Sequence, residues 1–299
     1  PDGSRNSLFL MRLKDKLGNR SNASSELEYV DAAGWLVGEE GRGINVIMKM
    51  VNATRVDVTN WSASLMRQAV TQAAGYVVQR EAFGAPLIDK PLMQNVLADL
   101  ELETEVATMM TMRLAGAFER APIDDHESHF LRLSSAVAKY WLSKRSTPVV
   151  REALECLGGA GFVEESILPR LYREAPLNAI WEGAGNVIAL DVLRALQRSP
   201  EAGEAFVTEL SLAAGADVVF DRELAALKRQ IATPVDEADA RRLVEQLALC
   251  WGASLCLRHE PEIADAYIRS RLDGDWGSEF GTLSSNVRLD RLARRACAV

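Results

Sequence analysis

The chain has 299 residues, 48% of them apolar and 25% charged, with a formal net charge of −8. That composition suits a globular protein with a sizeable core and excludes a fibrous or disordered chain, while the acidic balance excludes a globally basic nucleic-acid binder, whose affinity comes from displacing counterions from phosphates. No apolar run approaches the ~20 residues that span a bilayer, no signal peptide is evident, and the four cysteines form no Cys-x-x-Cys pair. The expectation is a cytoplasmic protein with reduced thiols, no metal and no membrane contact.

The first forty residues read as strands and loops. Ser7 to Arg12 and Glu26 to Tyr29 lie between turn-prone stretches rich in Gly, Asn, Asp and Ser, like the end of a β-domain whose beginning is absent. From about Gly43 the apolar residues recur every third or fourth position, which predicts one long helix, or two in series, from about Gly41 to Arg80. A second helix is predicted from about Lys90 to Arg120 and a third from about Asp125 to Cys156, with Pro148 as a kink. After Gly158-Gly159-Ala160-Gly161 comes a connection, and a fourth helix starts near Gly185-Asn186. Four long amphipathic helices with short connections suggest a bundle. Helical patterns continue over about Glu201 to Gly215, Arg222 to Ile231 and Asp236 to His259, and the tail becomes basic.

Three short stretches carry candidate chemistry. In Ile180-Trp181-Glu182-Gly183-Ala184-Gly185-Asn186 an acid lies between an indole and glycines just before a helix. Desolvation by the indole would raise its pKa and make it a better base; on spacing alone, an acid in a helix's first turn, favoured by the dipole, is the simpler account. Leu157-Gly158-Gly159-Ala160-Gly161 brings backbone amides near a phosphate or an adenine, or simply ends a helix. Gln79-Arg80-Glu81-Ala82-Phe83-Gly84 puts a guanidinium and a ring at a helix end, suited to a diphosphate and a planar group, or to solvent and core respectively.

Taken in order, these stretches, together with Thr54-Arg55, Leu171-Tyr172-Arg173-Glu174 and Trp181-Glu182-Gly183, resemble the acyl-CoA dehydrogenase family over about the first 200 residues. Leu13-Lys14-Asp15-Lys16-Leu17-Gly18-Asn19-Arg20, Pro169-Arg170 and the helical region after residue 200 resemble its AidB-like branch, which is associated with the bacterial adaptive response to DNA alkylation. The resemblance implies a mainly α chain: the end of a middle β-domain (1–41), a C-terminal four-helix bundle with FAD and catalytic residues (42–198) and a helical extension (199–299), in a homotetramer or dimer of dimers. It also implies a fragment that lacks the N-terminal domains and is not a competent enzyme by itself.

By the same resemblance, Glu182 removes the α-proton of a short or branched acyl-CoA while the β-hydride passes to flavin N5 of FAD, and Arg55 supports the site electrostatically. Some relatives carry the base on the first bundle helix, where this chain has Thr54, so Glu182 is the candidate. Arg80 and Phe83 meet the FAD of a neighbouring subunit, Gly158, Gly159 and Gly161 approach its adenosine part, and Gly183 and Asn186 flank the base toward the flavin. Ala184 stands where the family usually has a Thr that touches flavin. The alternative reading is a DNA-binding protective flavoprotein with weak or no dehydrogenase turnover, its DNA contacts made by Arg288, Arg291, Arg294 and Arg295, which are spaced to gather on one helix face. A third is an assembly surface formed by the last hundred residues.

Overall fold

The computed structural model describes residues 3–297; residues 1–2 and 298–299, at the two ends of the expected first and last segments, lie outside the described residues. Strands β1 (Leu8–Leu13) and β2 (Ser25–Tyr29) pair antiparallel, Leu8 opposite Tyr29 and Leu13 opposite Ser25, with a register irregularity between Leu10 and Arg12. Phe9, Met11, Leu13, Leu27 and Tyr29 of this ribbon are exposed.

Helix α1 (Gly43–Gln79) contains no proline, and its buried Met66, Val70, Ala73 and Val77 follow the helical repeat, which sets one face against the core. It ends where Arg80 turns extended and a two-residue hairpin, β3 (Glu81–Ala82) and β4 (Ala85–Pro86), reverses the chain. Phe83 and Gly84 at its tip both have positive φ, 53° and 79°, as a type I′ turn requires. Helix α2 (Pro91–Arg120) opens with proline at a first-turn position, where no amide is needed. Helix α3 (Asp125–Cys156) is capped by Asp124, whose carboxylate accepts from the Glu127 amide at 3.2 Å, and it runs on through Pro148.

The stretch expected to be a plain connection is helical in pieces: α4 (Gly159–Phe162), α5 (Leu168–Glu174) and a 3-10 turn at Ala175–Ala179. Its buried Leu168, Leu171 and Ala175 sit at helical spacing, in runs too short for that period to stand out in the sequence. Helix α6 (Gly185–Arg198) closes the bundle: α3 packs against α1, α2 and α6. The extension adds α7 (Pro200–Ser211), α8 (Val218–Ile231), α9 (Ala240–His259), α10 (Pro261–Arg271) and α11 (Leu289–Ala296). This is the mainly helical architecture, with small N-terminal sheet elements, that the sequence predicted. No helix among the described residues is long and apolar enough to cross a membrane.

Two devices fasten the extension to the bundle. Phe130 of α3, Phe206 of α7 and Trp251 of α9 form an aromatic cluster with centroids 5.5–5.8 Å apart, two of the three pairs edge-to-face. On α2 the buried carboxylates Asp99 and Glu103 receive Arg271 of α10; Asp99 also accepts from Trp276 Nε1 at 2.8 Å and the Gly281 amide at 3.0 Å, and Glu103 from Arg145 at 3.0 Å. Charges this deep persist because nearly every lone pair has a donor.

Candidate active site

Glu182 sits in the turn between the 3-10 segment and α6, half-buried, with φ of 55°. Only four non-glycine residues among those described have positive φ, and Phe83 is another of them. A backbone conformation that costs energy persists where its surroundings hold it, and two buried cations hold this one. Arg55 Nε donates to the Glu182 carbonyl at 3.3 Å, and Lys139 Nζ of α3 donates to the carbonyl of Gly183, itself at φ 108°. Arg55 is 5% exposed and its Nη1 pairs with Asp191 of α6 at 2.8 Å; Arg132 reaches the other oxygen of Asp191 at 3.0 Å. Burial alone would raise the Asp191 carboxyl, but Arg132 and Arg55 outweigh it and hold it below the ordinary carboxylate range. Burial, reinforced by the charge of Arg55 and opposed by Glu182, pushes the Lys139 ammonium down to about 8. Asn186 lies exposed in the first turn of α6, and the Thr54 hydroxyl is turned back onto the Val51 carbonyl at 3.1 Å.

Beside the turn, the Trp181 and Trp61 rings lie 5.3 Å apart, tilted by 42°. They line a cleft of about 540 Å³ walled by Leu65, Leu171 and Leu177. Two buried donors there, Asn178 Nδ2 and Trp181 Nε1, have no hydrogen-bond partner among the described residues. Orphaned buried donors are uncommon in a finished structure and suit a ligand with acceptor atoms on its edge.

Arg80 lines a different cleft, of about 520 Å³, where Gln72, Tyr76, Gln79 and Arg80 of the α1 end face Leu157, the residue before Gly158. The Arg80 side chain is exposed and carries no ion pair among the described residues, and Phe83 nearby in sequence is 92% exposed. Gly158 has φ of 58°, and a side chain at Gly158 or Gly159 would point into open space, so backbone can be approached closely there. Gly161 differs: a Cβ would lie 2.2 Å from the Leu154 carbonyl, so packing on α3 explains that glycine.

A family model described as acyl-CoA dehydrogenase, C-terminal domain, matches residues 41–197. The chain belongs to the acyl-CoA dehydrogenase family. It is 44% identical over 295 residues to the putative acyl-CoA dehydrogenase AidB of Escherichia coli (strain K12), covering 98% of this chain and 54% of that protein. The short-chain specific mitochondrial acyl-CoA dehydrogenase of Homo sapiens is 31% identical over 195 residues, 64% of this chain and 46% of that one. Caenorhabditis elegans ACDH-11, solved in complex with C11-CoA, superposes with a TM-score of 0.79 at 27% identity over 99% of this chain and 51% of its own. A Bacillus anthracis acyl-CoA dehydrogenase complexed with FAD shares the fold alone, with a TM-score of 0.70 at 19% identity over 97% of this chain and 55% of its own. The chain thus spans about half the length of these relatives.

Within this family fold the four tail arginines lie on and just before α11, apart from both clefts. Arg291 pairs with Glu262, Arg294 with Asp89 at 2.9 Å, and Arg295 with Glu105 and with Glu260 at 2.8 Å; Arg288, the most exposed, is 3.9 Å from Asp290. Sequence reasoning missed Lys139 and Asp191. Each is the lone charge in an otherwise uncharged run, Leu133 to Ser143 and Asn186 to Leu193, and that isolation was the available signal.

Proposed function

We propose that this chain is the base-bearing part of an FAD-dependent acyl-CoA dehydrogenase acting on a short or branched acyl-CoA, assembled as a homotetramer. The observation that carries the reading is the left-handed turn at Glu182, gripped from below by Arg55 and Lys139 beside the Trp181 cleft. Glu182 accepts the α-proton of the thioester, and its backbone N–H donates to the thioester oxygen as negative charge gathers there. When bound, FAD supplies the acceptor for the hydride leaving the β-carbon. Arg55, tied to Asp191, keeps a fixed positive charge under the turn. Thr54 turns its hydroxyl onto its own helix and offers no carboxylate to the site.

The residues present fit FAD. Arg80 offers an unpaired guanidinium to a diphosphate held by a neighbouring subunit, Phe83 an exposed ring to the adenine, and Gly158 and Gly159 an open backbone. Gly183 and Asn186 lie on the flavin side of the base in this reading. The pairing of Arg291, Arg294 and Arg295 with acids supports a structural role for α11 over a DNA-binding one. Anaerobic addition of a short branched acyl-CoA to the flavin-loaded protein tests the reading: it predicts bleaching of the flavin's visible absorption, and an unchanged spectrum across short straight and branched acyl-CoAs contradicts it.

A further inference from the structure

Lys139 is 1% exposed in the middle of α3, where neighbours on both sides are apolar or small. An apolar side chain there would avoid the cost of burying an ammonium, so the lysine calls for a reason. Its one hydrogen bond goes to the Gly183 carbonyl, while Arg55 takes the carbonyl of the preceding residue, Glu182. Because a peptide unit is planar and trans, a carbonyl drawn to a buried cation fixes the next residue's N–H on the opposite side. Two successive peptide units are oriented this way, and the Glu182 side chain with them.

We propose that Lys139 is a positioning residue for Glu182: with Arg55 it grips the two consecutive carbonyls of the turn and so presents the carboxylate in one fixed direction. The proposal rests on the reading of Glu182 as the base. The charges facing Lys139 are Arg55 of α1, Glu182 of the turn and Lys144 of its own helix. Behind them, Asp191 of α6 and Arg132 of α3 complete the pairing of Arg55, and Arg241 of α9 faces Lys144. Lys139 therefore meets backbone carbonyl on one side and a mixed set of charges with a positive excess on the others.

Amide hydrogen exchange over residues 180–188 tests this in the wild-type chain and in Lys139→Met. Exchange at the hydrogen-bonded amides that flank the turn, Trp181 (to the Leu177 carbonyl) and Ile188 (to the Ala184 carbonyl), is expected to rise about tenfold or more, as loss of a charge-assisted bond allows. The melting temperature should hold or rise, since a buried charge is removed, and that combination separates positioning from mere structural support. In the flavin-loaded protein, reduction should slow about tenfold or more with acyl-CoA affinity within about twofold. Unchanged exchange at the turn, or a loosened turn with reduction at the wild-type rate, overturns the proposal. Absence of flavin reduction in the wild type refutes the base reading instead, and does so independently of the exchange result. Should Lys139→Met not fold, wild-type exchange between about pH 7 and about pH 10 serves: as the Lys139 charge is lost near about 8, protection of these amides, corrected for intrinsic exchange, falls several-fold, and does so in Lys144→Met as well. Protection that stays flat overturns the proposal.

Discussion

Asp191→Asn removes one negative charge and little volume, and its consequence follows from what Asp191 neutralises. The Arg55 side chain is 6% exposed and pairs with no other carboxylate among the described residues, so the variant leaves a guanidinium buried against an amide. Removing one partner of a buried pair costs about 3–5 kcal/mol. With roughly 2–4 °C of melting temperature per kcal/mol for domains near this size, the midpoint should drop by roughly 6–20 °C. Arg132, whose side chain is 35% exposed, contributes less because water screens it. The sign with pH is fixed: a carboxyl held below its ordinary value contributes stability that is complete above that value and is lost as pH falls through the lowered one. The gap between wild type and variant, followed by circular dichroism, should therefore be constant near neutrality and close only in strong acid. A replacement of both ends, Arg55→Met with Asp191→Leu, should recover much of the loss. If Asp191→Asn melts within about 2 °C of wild type, the buried pair is not what anchors Arg55 under the turn.

Lys139 moves stability in the same direction with pH, but in the alkaline range rather than in acid. Its folded value of about 8 lies below the ordinary 10.5, so the unfolded chain binds the extra proton between those limits, and native stability should rise across that window by up to about 3 kcal/mol. Urea midpoints against pH check this, and Lys139→Met should show no such rise. Arg80→Ala should weaken FAD retention by about 10–100-fold and loosen the oligomer with it, measured as flavin content after gel filtration. Replacing Arg291, Arg294 and Arg295 with Gln should lower the melting temperature while leaving the salt dependence of any DNA affinity unchanged; a slope flatter by roughly one unit per lost phosphate contact would show that these arginines meet DNA.

The long helices were legible because each repeats its apolar positions over many turns and begins with local chemistry: Asp124 before α3 and Pro91 at the start of α2 are visible without any tertiary knowledge. The helices missed, α4, α5 and α10, are short, and their stability comes from residues such as Leu168 and Ile263 packing on distant elements. Glu182 stands out as a candidate through its neighbours in sequence, Trp181 and Gly183. What holds it does not, because Lys139 and Asp191 reach it from α3 and α6 and reveal their roles only when those helices pack. The surroundings of the basic tail were hidden for the same reason. Its arginines do gather on one helix, but their partners Asp89 and Glu105 are about 190 to 205 residues away, and the fold turns that face onto them.

In the proposed reaction Glu182 accepts the α-proton. Glu182→Gln keeps the shape of the side chain, the turn and the backbone N–H, but cannot take the proton. Stopped-flow flavin bleaching with a short branched acyl-CoA, on the flavin-loaded protein, should show acyl-CoA bound with affinity near wild type and reduction slower by about 10²–10⁴-fold. Reduction at the wild-type rate in Glu182→Gln would show that Glu182 is not the base.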